Sequence, residues 1–214
     1  LVNCENILTE WNINILTPQR DKDNAKNAAF TASCLTIFQD ADIDYAFRYR
    51  GTQDNNWLLR LIGFDLSLFS YDGMYKMPAL AYLAMHYLAK DTPIKLAIPE
   101  KNFSDGITYI AGISEDRSNI SVLISNYEGD DTSYLLDITH LPWSNYRVAY
   151  YLIDEGHHLE VIENETCNNL SYSVIKTIEK NSIHFIRFTN SSVFPKEGPS
   201  VAKIPFLLRI PLFD

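Results

Sequence analysis

ILTEWNINI, residues 7–15, decides the reading of this chain, because it is an apolar strand pattern that ends in polar residues and is followed by a turn and a helix. A period of two sends Leu8, Glu10 and Asn12 to one side and Ile7, Thr9 and Trp11 to the other, so Glu10 is expected beside Asn12 where the strand meets a polar loop. After the turn at residues 17–23, the segment 24–39 carries Ala25, Ala28, Ala29, Ala32 and Leu35 at helical spacing, small side chains that allow close packing on a sheet. This is a strand-to-helix unit. Carboxylates at strand ends are where parallel α/β barrels do chemistry, since their active sites lie at the C-terminal face of the strands. The competing reading of Glu10 is a solvated edge residue with no role.

Outward from this unit the grammar repeats once and then changes. Residues 43–49 read as a second strand, followed by a long loop with Gly51, Asn55, Asn56 and Gly63. A second helix begins near Pro78, a residue preorganised for a first helical turn, and runs to Lys90, with Leu80, Leu83, Ala84, Tyr87 and Leu88 as the stripe of a helix buried on one face. Two such units imply a parallel sheet, yet two parallel strands are not stable alone, so further strands must come from elsewhere. From Thr92 onward short alternating runs recur at residues 94–98, 108–113, 121–125, 134–138, 147–153, 159–162, 172–178, 183–189 and 206–210. Turns such as Glu128-Gly129-Asp130-Asp131 and Asp154-Glu155-Gly156 separate them, the pattern of an antiparallel sandwich. Asp91-Thr92-Pro93 ends the helix and divides the chain into residues 1–91 and 92–214.

At 214 residues and 46% hydrophobic content the chain can bury a substantial core. Its net charge of −9 opposes a nucleic-acid backbone or an anionic membrane as partner. No apolar run approaches the roughly 20 residues that span a bilayer, and no secretory leader is visible. The chain opens on Leu1 and reads as a processed or excised piece, leaving the compartment open, with a secreted, periplasmic or lysosomal setting favoured. Cys4, Cys34 and Cys167 are odd in number and far apart, as expected of buried free thiols rather than a disulfide framework or zinc site. Sequons begin at Asn102, Asn119, Asn164, Asn169 and Asn190. His157-His158 has no third ligand nearby and reads as a turn, and Trp143 after Leu141-Pro142 reads as sandwich core.

Leu8-Thr9-Glu10-Trp11-Asn12, then Asn24-Ala25-Lys26-Asn27-Ala28-Ala29-Phe30, Leu68-Phe69-Ser70-Tyr71-Asp72-Gly73 and Lys76-Met77-Pro78-Ala79-Leu80-Ala81-Tyr82 follow one another in an order that resembles the C-terminal part of glycoside hydrolase family 39. That family includes β-xylosidases, α-L-iduronidases and exopolysaccharide hydrolases. Ile124-Ser125-Asn126-Tyr127 and the run from Leu141 through His158 resemble its accessory β-domain. The resemblance implies the last strand-helix units of a (β/α)8 TIM barrel followed by an antiparallel β-sandwich. It makes the segment with Glu10 barrel strand seven and residues 43–49 strand eight.

The chemistry so implied is retaining hydrolysis of a carbohydrate substrate without a cofactor. One carboxylate attacks the anomeric carbon while a second, about 5–5.5 Å away, protonates the leaving oxygen and later activates water. Glu10 is the nucleophile by this resemblance. Asn12, Tyr49, Arg50 and Trp57 are candidate substrate contacts: Tyr49 as a stacking platform or as core, Arg50 for an acidic sugar or in a salt bridge, Trp57 lining the cleft or plugging the barrel rim. The family commonly offers a Trp in strand eight, where this chain offers Phe47, Tyr49 and Arg50. The acid/base Glu of the family lies in an Asn-Glu at the end of strand four, whereas the sole Asn-Glu here, Asn164-Glu165, falls in the sandwich half. The expected partner is therefore the N-terminal portion of the same enzyme, and this chain alone is expected to be inactive. The alternative is a non-catalytic carbohydrate-binding or interaction protein that retains the same scaffold.

Overall fold

Asn24 starts the first helix for a local reason: its backbone is extended and its side chain accepts from the Asn27 amide, satisfying one of the free N–H groups of the first turn. The computed structural model describes residues 5–14, 22–52, 65–98 and 106–191. The elements are β1 (Ile7–Trp11), α1 (Ala25–Phe38), β2 (Tyr45–Arg48), α2 (Met77–Asp91), β3 (Ile94–Lys95), β4 (Ile107–Ile113), β5 (Asn119–Asn126), β6 (Thr132–Ile138), β7 (Tyr146–Ile153), β8 (His158–Cys167), β9 (Tyr172–Ile178) and β10 (Ser182–Asn190). The strand expected at residues 206–210 and the loop that carries Trp57 lie outside the described residues.

β1 and β2 form a two-stranded parallel sheet. The later strands form a six-stranded sheet in the order β3-β4-β5-β10-β7-β8 and a two-stranded sheet of β6 and β9, with antiparallel pairing throughout. The alternation along these strands sorts their side chains into two cores. Ile110, Leu123, Tyr151, Ile153, Ile183 and Phe185 pack toward the helices, and Val122, Ile124, Val148, Tyr150, Ile186 and Phe188 pack toward β6 and β9. Trp143 belongs to the second core, its indole N–H donating to the Arg117 carbonyl at 2.6 Å.

The helices are thus enclosed on two sides. The sequence predicts α2 buried along one stripe, but Met77–Met85 are all buried, because the helix sits against α1, Trp11 and the six-stranded sheet at once. Small residues make this close approach possible. At the contact of α1 with the sheet, Thr108 donates to Ser33 at 3.0 Å and Ser125 to the Ala29 carbonyl at 2.9 Å, so buried hydroxyls find partners. Where α2 ends, Thr92 caps Leu88 through both its N–H and its hydroxyl. Gly112 of β4 lies against that turn, and a Cβ there would meet the Thr92 carbonyl oxygen at 2.2 Å. The described cysteines, Cys34 and Cys167, are free but only half-buried, because each sits at the margin of its core. Among the described residues no helix is long and apolar enough to cross a membrane.

Candidate functional site

The register of the parallel pair is irregular at the residue of interest. Ile7 pairs with Tyr45, Leu8 with Ala46 and Trp11 with Arg48, so between the last two pairs β1 advances three residues and β2 only two. The extra residue makes a β-bulge, a device that re-aims side chains. Leu8 and Trp11 both pack toward the helices, while Thr9 and Glu10 are both exposed. The expected alternation, with Glu10 sharing a face with Leu8 and Asn12, is therefore corrected, and β1 ends at Trp11 rather than at residue 15. Glu10, next to the inward Trp11, projects from the face opposite the helices. Ile7 and Phe47 are 49% and 57% exposed, and Phe47 stacks beside Tyr45 at 6.5 Å, leaving an uncovered apolar surface on the parallel pair.

Trp11 is held in an aromatic nest by Phe30, Phe38 and Tyr82, with ring centroids 6.3, 5.1 and 6.1 Å away. Arg48 lies over the same ring at 5.2 Å. Its guanidinium donates to Thr31 Oγ1 at 2.6 Å, Asn12 Oδ1 at 2.9 Å and Asn27 Oδ1 at 3.0 Å. Burial draws its pKa from 12.5 down to about 10, with Tyr82 and Cys34 opposing the shift, so the group stays cationic at neutral pH. Burial likewise pushes the neighbouring Cys34 thiol up to about 11.

Asn12 is tied on both sides of its amide. Oδ1 accepts from Arg48 and from the Ile13 amide, and Nδ2 donates to the carbonyls of Tyr49 and Leu66. Its side chain, expected to contact substrate, is engaged by protein partners. Tyr49 donates its N–H to the Trp11 carbonyl at 3.1 Å, and the peptide from Tyr49 to Arg50 is cis. Both residues are half-buried, with the Arg50 guanidinium 5.9 Å from the Tyr49 ring. Glu10, Asn12, Tyr49 and Arg50 thus gather at the C-terminal ends of two parallel strands. Glu165 of the sole Asn-Glu sits elsewhere, on β8, accepting from the Tyr172 hydroxyl at 2.5 Å.

A second polar group underlies the start of α2. Lys76 Nζ lies 2.5 Å from Asp65 Oδ2 and 2.9 Å from Ser67 Oγ, and Ser67 donates to Asp65 Oδ1 through its N–H and its hydroxyl. Burial pushes the Asp65 carboxyl up, but the bonds from Lys76 and Ser67 outweigh it and hold the group below its ordinary value. Lys76 caps α2 with no side-chain bond of its own; Asp23 accepts from the Met77 amide at 2.9 Å instead. Buried Lys22 adds a second cation near Asp65, its pKa lowered by burial. Sequence reading missed this group and the role of Arg48. The available signal was a charge in the strand YAFR with Asn27 and Thr31, four apart, on an otherwise alanine-rich helix face. Among the described residues no three His, Cys, Asp or Glu side chains gather as a metal would need.

No protein-family model and no curated protein matches this sequence. Solved structures do match it. A glucosidase from Croceicoccus marinus superposes with a TM-score of 0.71 and 23% identity, covering 87% of this chain and 46% of its own. The fold is one shared with glycoside hydrolases. A GH39 enzyme from Xanthomonas axonopodis pv. citri follows this glycoside hydrolase fold with a TM-score of 0.66 and 11% identity over 88% of this chain and 45% of its own. A monomeric β-xylosidase from Caulobacter crescentus does so with a TM-score of 0.58 and 12% identity over 86% of this chain and 45% of its own. The chain spans just under half the length of these three neighbours.

Proposed function

We propose that this chain is part of a retaining glycoside hydrolase, with residues 1–91 the last strand-helix units of a (β/α)8 barrel and 92–214 its β-sandwich. Glu10 is the nucleophile, and the acid/base carboxylate belongs to an N-terminal portion of the enzyme outside this sequence. The observation that carries the reading is the bulge in β1, which turns Glu10 away from the helices at the C-terminal end of a parallel strand. The uncovered apolar surface of Ile7 and Phe47 lies on a sheet of only two parallel strands, which further barrel strands would close over.

In this reading a Glu10 oxygen attacks the anomeric carbon as the leaving oxygen is protonated by the second carboxyl group. A glycosyl ester forms on Glu10. Water, deprotonated by the same second group, then releases the sugar with its configuration retained. Tyr49 and Arg50 border the attack site and, with Trp57, are the proposed sugar contacts.

The test is Glu10→Gln in the full-length protein, screened on aryl glycosides of glucose, xylose and uronic acids. Loss of the covalent step lowers kcat by at least about a thousandfold, roughly 4 kcal/mol of barrier. Turnover within tenfold of the native rate overturns the assignment of Glu10. Sugar binding without any turnover by the native full-length protein would make the scaffold a carbohydrate-binding one.

A further inference from the structure

We infer that Arg48 is a positioning residue for the reaction, setting the Glu10 carboxylate by clamping the loop that follows it at both ends. The inference rests on the nucleophile reading of Glu10. The segment between β1 and α1 begins at Asn12 and ends at Asn24. Arg48 holds the first end directly, through Asn12 Oδ1 at 2.9 Å. It holds the second through Asn27, whose Oδ1 accepts from Arg48 at 3.0 Å and whose Nδ2 donates to the Lys22 carbonyl at 2.7 Å. A third bond to Thr31 at 2.6 Å fixes the guanidinium to the helix.

The two residues that follow the bulge are therefore both held by one group. Trp11, next to Glu10, carries the guanidinium over its ring, and Asn12, two residues on, carries it on its amide. The other half of the Asn12 amide binds the carbonyls of Tyr49 and Leu66, tying the strand that carries Glu10 to the turn that carries Tyr49 and Arg50. A planar cation with several fixed donors can satisfy this geometry, and an ammonium cannot. Arg48 faces the helices while Glu10 faces away, so it acts through the strand and not by touching sugar. Small misplacements at a reacting centre cost rate steeply.

The experiment compares Arg48→Met, Arg48→Lys, Asn12→Ala and Glu10→Gln in the full-length protein, with Gly112→Ala as a destabilised control far from the site. Arg48→Met is expected to lower kcat at least tenfold with KM changed less than threefold, Arg48→Lys to recover little of it, and Gly112→Ala to keep the native kcat when assayed below its melting temperature. If Arg48→Met fails to fold, Asn12→Ala is read in its place and is expected to show the same loss confined to kcat. An unchanged kcat in a folded Arg48→Met or Asn12→Ala, or a loss in Gly112→Ala of equal size, overturns the inference. Glu10→Gln keeps the two claims apart: if it is inactive while Arg48→Met is fully active, only the positioning role fails, and if it remains active the nucleophile reading fails first.

Discussion

Replacing Lys76 by Met tests the buried ion pair beneath α2. Lys76 and Asp65 are 8% and 6% exposed, and their charged atoms are 2.5 Å apart, so solvent screens the pair little. Removing the cation takes away the ammonium bonded to this buried carboxylate and leaves the bonds from Ser67 and the attraction of Lys22. Breaking one side of a buried pair costs about 3–5 kcal/mol. Against a total stability of about 5–15 kcal/mol this is a large fraction, and at about 2–4 °C per kcal/mol it lowers Tm by roughly 6–20 °C. The carboxyl of Asp65 is held below its ordinary value of 3.8, so its contribution is present above that value and is lost as pH falls through the lower folded value. In Lys76→Met that acid-side loss should shrink or reverse, because burial then raises the folded carboxyl and protonation relieves the uncompensated charge. Urea unfolding at pH 7 and at pH 4, followed by circular dichroism, reads both effects. Adding Asp65→Asn, which keeps an acceptor for Ser67 and removes the charge, should recover part of the loss. A cost below about 1 kcal/mol for Lys76→Met, or no recovery in the double variant, refutes the claim that this pair is enclosed.

Two further perturbations probe the antiparallel layers. Burial, with Lys176 adding to it, lowers His184 from 6.5 to about 4, and its ring Nδ1 shares a hydrogen bond with the Tyr134 hydroxyl at 2.8 Å; Glu163 and Asp154 pull the other way. The unfolded chain then takes up a proton between pH 6.5 and about 4 that the folded chain does not, so stability is lost as pH is lowered across that window, by up to about 3 kcal/mol. His184→Gln should flatten that part of the urea-midpoint profile, and an unchanged slope counts against it. Gly112→Ala drives a Cβ into the Thr92 carbonyl and should cost about 1–3 kcal/mol or more, read as a lower Tm; a neutral result means that β4 and the end of α2 can separate freely.

Much of the local structure was legible before any coordinates. The helix predicted at residues 24–39 is α1 with its two caps, and the runs at 172–178 and 183–189 are β9 and β10 to within a residue. These succeed because capping and two-residue alternation act between near neighbours in sequence. The site was legible only in part. Glu10 stood out as a carboxylate at a strand end, but its direction was misread, since a bulge depends on how β1 registers with β2, more than thirty residues later. Arg48 went unremarked because its partners Asn12, Asn27 and Thr31 lie on two other elements.

By itself the sequence determined the order of the elements, two strand-helix units followed by antiparallel strands, because hydrophobic period, caps and turn residues are local properties of the chain. Only the tertiary structure decided that the helices are enclosed between two sheets, that Lys76 is bound to Asp65, and that Glu10 faces away from the core on which Arg48 anchors its strand. Those outcomes rest on burial and on hydrogen bonds closed across long loops, and they exist only once the layers have packed.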